Sequence, residues 1–265
     1  GTTDTFTVVL DAEPASDVVL TITSGDTGEA TVTSTLTFTS ANWDTAQTVT
    51  VTGVDDNLVD GSVSSTVTVT VDDINSDNDF DAVADQTVSV TTTDDDVAGF
   101  TIAESSGSTS VDESGTTDTF TVVLDAQPGS DVVLSISSSD TGEATVTSTL
   151  TFTSANWDTA QTVTVTGADD DLIDGTITST ITASVVEVAS DNNFDAVSDQ
   201  TVSVTTTDDD VAGFTIAESS GSTSVAESGT TDTFTVVLDA QPSSDVVLSV
   251  TSGDTGEATV TSSLT

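Results

Sequence analysis

Residues 115–128 read GTTDTFTVVLDAQP, and the same string returns at 1–14 as GTTDTFTVVLDAEP and at 229–242 as GTTDTFTVVLDAQP. The offset is 114 residues each time. Trp43 and Trp157 keep it, as do the Asp triplets at 94–96 and 208–210, so no insertion or deletion separates the copies. Self-similarity at a fixed period marks a repeat architecture, and 265 residues hold two periods and a fraction of a third. Strand logic sets the phase. The triplet at 94–96 runs directly into VAGFTIAESSGSTSVDES from Val97, where Phe100 and Ile102 alternate ahead of a Gly-Ser turn. We therefore expect 97–210 to be a complete repeat, 1–96 a repeat lacking its first strand, and 211–265 the N-terminal part of a third.

Outward from that string, the apolar period is two. Phe120, Val122 and Leu124 alternate with Thr119, Thr121 and Val123; Val132, Leu134 and Ile136 follow, then Leu150 and Phe152. Val163 and Val165, Ile181, Ala183 and Val185, and Val202 and Val204 continue the rule, and Asp125-Ala126-Gln127-Pro128-Gly129 has the composition of a turn. No segment shows helical spacing. About seven short strands rich in Val and Thr predict an all-β protein made of tandem immunoglobulin-like antiparallel β-sandwiches in a linear array, without a cysteine pair. Thr207 passes through the Asp triplet into Val211 with no flexible spacer, so adjacent domains are expected nearly to touch.

The charge is one-sided: 46 Asp plus Glu, no Lys, Arg or His, and a formal net charge of −46. Such a chain cannot neutralise phosphates, so nucleic acid is not an expected partner, and neither is direct membrane insertion, because no stretch nears the roughly 18 apolar residues of a span. Absence of His and Cys excludes serine-type and cysteine-type triads and thiolate metal sites, and no enzymatic activity is expected. With 34% hydrophobic residues there is still enough apolar material for packed cores.

The carboxylates recur at loops and strand ends. In the complete repeat they are Glu113 in VDESG, Asp140 and Glu143 in SDTGEA, Asp169, Asp170 and Asp174 in ADDDLIDG, and Asp208, Asp209 and Asp210. Two carboxylates about 4 Å apart repel by roughly 4 kcal/mol at an effective dielectric of about 20, so several unscreened pairs would rival a domain's whole stability of about 5–15 kcal/mol. Either the groups spread apart or cations sit between them, and this chain has no cationic side chain. Loops offering six to eight hard oxygens are what calcium requires.

The run TLTFTSANWDTAQTVTVTGADDDLIDG, preceded by VDESG and closed by a strand ending in DDD, resembles the Calx-beta repeat of sodium/calcium exchangers and giant bacterial surface proteins. The resemblance covers essentially the whole period. It implies calcium ligands at Glu113, Asp140, Asp169, Asp170, Asp174, Asp208, Asp209 and Asp210, with Glu143 the alternative to Asp140. In the first copy it implies Asp26, Asp55, Asp56, Asp60, Asp94, Asp95 and Asp96, and in the third Glu227 and Asp254. The family often carries Glu where Asp60 and Asp174 stand. It further implies that these loops gather at the pole where the chain leaves each domain, with the metal between domains.

Other features carry less. Asp77-Asn78-Asp79-Phe80-Asp81 opens like an EF-hand loop but has Ala82 where Gly is needed and Val88 where the bidentate Glu belongs, so it is read as a loop holding at most an accessory ion. Trp43 and Trp157 suit a lid over a sandwich edge or a sugar-stacking surface. The Thr ladder at 161–166 suits an exposed strand or an ice-binding face. Together the sequence predicts an extracellular fibre or adhesin segment, a calcium-rigidified spacer or filament. Its partners would be the neighbouring repeats of the same chain, with self-association possible in a filament. A glycan- or ice-binding adhesion module is the alternative.

Overall fold

The computed structural model describes residues 1–265. The first repeat contains β1 (Thr3–Val8), β2 (Val18–Ser24), β3 (Ala30–Val32), β4 (Thr35–Phe38), β5 (Gln47–Gly53), β6 (Val63–Val71) and β7 (Gln86–Thr92). The middle repeat contains β8 (Phe100–Glu104), β9 (Thr109–Asp112), β10 (Thr117–Leu124), β11 (Val132–Ser138), β12 (Ala144–Val146), β13 (Thr149–Phe152), β14 (Gln161–Gly167), β15 (Ile177–Val185) and β16 (Gln200–Thr207). The remainder holds β17 (Phe214–Glu218), β18 (Phe234–Leu238), β19 (Leu248–Ser249) and β20 (Ser263–Leu264). The chain is all-β, and its only helical pieces are three short 3-10 turns.

Period-two alternation builds the middle repeat directly. In β14, Val163 and Val165 are buried while Thr162 is exposed, and β10 buries Phe120, Val122 and Leu124 on one face. One sheet has the order β12-β14-β10-β8 and the other β13-β11-β15-β16-β9. Their inner faces enclose 18 buried residues, with Phe120, Phe152, Phe194 and Leu134 among the bulkiest. Trp157 packs against this core from its edge, and its carbonyl accepts from Leu124 N–H at 3.1 Å.

The count is nine strands rather than the expected seven. The two additions, β9 and β12, are four and three residues long. Neither run holds the two large apolar residues at alternate positions that mark the equally short β13. β9 is also the one strand that pairs in parallel, with Val204 opposite Thr109 and Thr207 opposite Asp112. The opening segment thus lies in both sheets: β8 runs beside β10, the chain turns at Gly107 with φ 77°, and β9 continues on the other side. That change of sheet carries Glu113 to the end of the sandwich.

The first repeat follows the same registers. Thr3 faces Thr52 in β1–β5, as Thr117 faces Thr166 in β10–β14. Its core has nine buried residues, from Val18 in β2 to Val71 in β6. Its sheets have the orders β1-β5-β3 and β4-β2-β6-β7, and residue 1 is the counterpart of Gly115. In the third repeat, β17 pairs only with β18 and β19 only with β20, and Phe214 is 51% exposed where its counterpart Phe100 is 2%.

Candidate metal centre

Four segments of the middle repeat meet at the end where the chain leaves toward residue 211. Glu113 follows β9, and its N–H donates to the Thr207 carbonyl at 3.0 Å, tying it to the end of β16. The path of β9 over β14 requires Gly167: a Cβ there would collide with the Asp112 backbone carbonyl. Glu143 precedes β12, and its carbonyl accepts from Ala168 N–H at 2.8 Å. The loop between β14 and β15 supplies Asp170, whose Oδ1 accepts from Leu172 N–H at 2.6 Å, and Asp174, followed by Gly175 at φ 80°. Finally, Asp208 Oδ2 accepts from Asp174 and Gly175 N–H at 3.1 and 2.8 Å, while its Oδ1 accepts from Asp210 N–H at 2.7 Å. Asp208 is therefore the clasp that holds the loop and turns Asp210 inward.

The result is two groups of carboxylates that share one member. Oxygens of Glu113, Asp170 and Asp210 lie within 4.8 Å of one another, and so do those of Glu113, Glu143 and Asp174. Two oxygens bound to one calcium at about 2.4 Å can be no more than about 4.8 Å apart, so each triad fits around a single ion with Glu113 bridging two. Glu113 is 1% exposed and Glu143 7%, so water does not screen them freely. Glu113 Oε2, Glu143 Oε2 and Asp210 Oδ2 are buried with no hydrogen-bond partner. Unpaired buried carboxylate oxygens are costly, and a proton or a cation would satisfy them.

The proton affinities show the same crowding. Burial pushes the Glu113 carboxyl up to about 7, and Glu143, Asp174, Asp208 and Asp170 add repulsion. Glu143 is raised by burial, then by Asp174, Asp140 and Asp170, and Asp210 by burial and by Asp171, Asp208 and Asp209. Asp208 goes the other way, held low by the N–H groups of Gly175, Asp210 and Asp174. The cluster thus contains an anchored anion beside carboxylates that need a proton or a metal to coexist.

Of the residues singled out from sequence, Glu113, Glu143, Asp170, Asp174 and Asp210 converge in these triads, with Asp208 supporting them. Asp169 and Asp209 are exposed and lie outside the triads. Asp140 is outside them too, its Oδ1 accepting from Gly142 N–H at 3.0 Å, so Glu143 is the member this loop contributes. The first repeat keeps the scaffold. Asp94 accepts from the N–H groups of Asp60, Gly61 and Asp96, and Asp56 accepts from that of Leu58. Asp26 caps its own turn through Gly28 N–H, and Asp55 and Asp95 are exposed. Glu29 was missed from sequence, although it stands 114 residues before Glu143; burial and then Asp60, Asp26, Asp56 and Asp94 raise its pKa. Residues 1–96 form no such triad. Glu227 and Asp254 of the third repeat are exposed and belong to neither group.

The EF-hand-like segment is a loop clasp. Asp77 Oδ2 accepts from Ala15 and Ser16 N–H at 2.7 and 2.9 Å and its Oδ1 from Asp79 N–H at 3.1 Å, bonds that hold its pKa low. Asp191 makes the same bonds to Ser130 and Asn193.

The ligand loop also touches the next repeat. Gln127 N–H donates to the Asn57 carbonyl at 2.7 Å, and Val59 N–H to the Gln127 carbonyl at 3.0 Å. Asn193 Nδ2 donates to the Val59 carbonyl at 2.6 Å, and Val59 packs against the middle repeat's core. One period on, Gln241 N–H donates to the Asp171 carbonyl at 2.6 Å and Leu172 bridges to Gln241. Leu172 thus binds forward to the next repeat.

No protein-family model matches the sequence, and no curated protein matches it. Among solved structures the chain is similar to domains 4 and 5 of the S-layer protein SbsC, at TM-score 0.34 and 20% identity over 71% of this chain and 70% of that one. It is also similar to the calcium binding domain CBD12 of CALX1.1, at TM-score 0.28 and 12% identity over 69% of this chain and 73% of that one. No helix is long and apolar enough to cross a membrane.

Proposed function

We propose that this chain is a calcium-rigidified structural segment of an extracellular fibre or adhesin, a Calx-beta-like array whose repeats serve as spacer or filament. The observation that carries the reading is the convergence of Glu113, Glu143 and Asp210, with buried unpaired oxygens, at the base of a loop whose other side is hydrogen-bonded to the next repeat. Without metal, mutual repulsion loosens the 169–174 loop, and the backbone bonds from Asp171 to Gln241 loosen with it. With calcium, the carboxylates are drawn together, the loop is fixed, and the junction stiffens. Each repeat's partner is then the next one along the chain. Catalysis is no part of this reading, which assigns the converging acids to a structural ion.

Small-angle X-ray scattering of the 265-residue chain tests the stiffening. In millimolar calcium, we expect a larger maximum dimension and a narrower distance distribution than in chelator. Identical profiles in both buffers, with calcium shown to be bound, would contradict the proposal.

A further inference from the structure

The contacts between the first and middle repeats converge on Val59. Its N–H donates to the Gln127 carbonyl at 3.0 Å, its carbonyl accepts from Asn193 Nδ2 at 2.6 Å, and its side chain packs against the middle repeat's core. Gln127 is braced from behind, since its own Nε2 donates to the Ser154 carbonyl at 2.9 Å. Two side-chain amides thus shape the face on which the loop docks. Asn193 also lines the cleft between the repeats together with Asp94 and Asp96 of the first. An amide there is neutral and can donate; an ionised carboxylate does neither.

The corresponding face of the first repeat differs at both places. One period before Gln127 stands Glu13, and one period before Asn193 stands Asp79. The local fold is nevertheless the same. Asp79 N–H donates to Asp77 Oδ1 at 3.1 Å, as Asn193 N–H donates to Asp191 Oδ1 at 3.0 Å. Exchange of amide for acid therefore alters the chemistry of the face and leaves its shape.

We infer that the residue at this position decides whether a repeat accepts an acidic loop such as 55–60 from its neighbour: Asn193 admits the loop, and a carboxylate, as at Asp79, refuses it. The inference rests on the reading of the chain as an array stiffened at its junctions, and it makes near-identical repeats non-interchangeable. Asn193 acts as a positioning residue. It holds the Val59 carbonyl, and Val59 holds the loop that carries Asp55, Asp56 and Asp60.

The test grafts the first repeat's residues onto the middle one in the whole chain, as Asn193→Asp and as Asn193→Asp with Gln127→Glu, beside Asn193→Ala, which removes the donor alone. The loop tolerates the carboxylate, as Asp79 shows, so these variants fold. Spin labels on Ser89→Cys and Ser203→Cys, exposed positions one period apart in a chain without cysteine, report the distance between the two repeats by pulsed electron spin resonance. A hydrogen bond's net contribution corresponds to a factor of roughly 2–10 in population. We expect Asn193→Ala to raise the undocked population by such a factor, and Asn193→Asp to raise it further at low salt, because the new charge meets Asp94 and Asp96. The double graft should undock at least as much. In about 1 M salt, where charges are screened beyond about 3 Å, Asn193→Asp and Asn193→Ala should converge. A distance distribution for Asn193→Asp equal to the parent's in both calcium and chelator would overturn the inference. Calcium is read separately in the same experiment. If the parent's distribution is the same in calcium and chelator while Asn193→Asp broadens it, the role of Asn193 stands and the calcium reading falls. If calcium narrows the parent's distribution while Asn193→Asp matches the parent in both buffers, the reverse holds.

Discussion

Replacing Glu113 by Gln is expected to change stability with opposite signs in the two metal states. For the parent chain, saturating calcium should raise the melting temperature of the middle repeat, followed by Trp157 fluorescence, by on the order of 10 °C or more over chelator. The size follows from mass action: a ligand at 100 times its dissociation constant contributes about 2.7 kcal/mol per site, and about 1 kcal/mol moves the midpoint of a domain near 100 residues by roughly 4–8 °C. Glu113 belongs to both triads, so Glu113→Gln removes one anionic ligand from each and should abolish most of that shift. In chelator the same variant should melt above the parent, because a neutral amide replaces a buried carboxylate pressed by Glu143, Asp174, Asp208 and Asp170. Melting lowered equally in both buffers would make Glu113 a packing residue and nothing more.

The pH dependence should differ between the same two states. Folding raises the Glu113 pKa from its ordinary 4.5 to about 7, so between these values the folded chain holds a proton that the unfolded chain has released. Stability must then fall as pH rises through that window in chelator. Calcium competes with the proton, so the stabilisation that calcium adds over chelator should grow from pH 5 to 7 and level off above it, while the metal-saturated chain itself shows little slope in this window. Groups with lowered pKa, Asp208, Asp77 and Asp118 among them, contribute stability that is lost only as pH falls below the ordinary aspartate range near 4, outside this window. Melting midpoints every half unit from pH 5 to 8, with and without calcium, give both slopes. Parallel slopes would place the Glu113 proton outside the metal centre.

Most of the sandwich was legible because alternation of large apolar residues over four to nine residues leaves one reading. Val163 and Val165 between threonines can bury only one face. β9 escaped because Val111 is its one large apolar residue and its partner, β16, lies 95 residues away in sequence. No local pattern reveals a parallel pairing at that distance. The convergence of acidic residues was legible in composition and less so in membership. Six of the nine middle-repeat candidates are in the triads or hold them up, since an acidic residue at a strand end has a defined direction. The choice between Asp140 and Glu143, however, depends on which of them Ala168 holds in place through the backbone, a contact between loops. Glu29 needed only the period, applied to Glu143 as it had been to the aspartates. The forward-pointing role of Leu172 lay beyond the sequence, because a Leu in a loop looks the same whether it anchors to its own core or to the next repeat's turn.

Calcium titration by calorimetry at pH 7.5, on the parent chain and on Glu113→Gln, tests the metal centre most directly. We expect saturable uptake by the parent, and a count lower by two ions in the variant, one for each triad that Glu113 bridges. Absence of saturable uptake, or the same number of ions in both chains, would contradict the assignment.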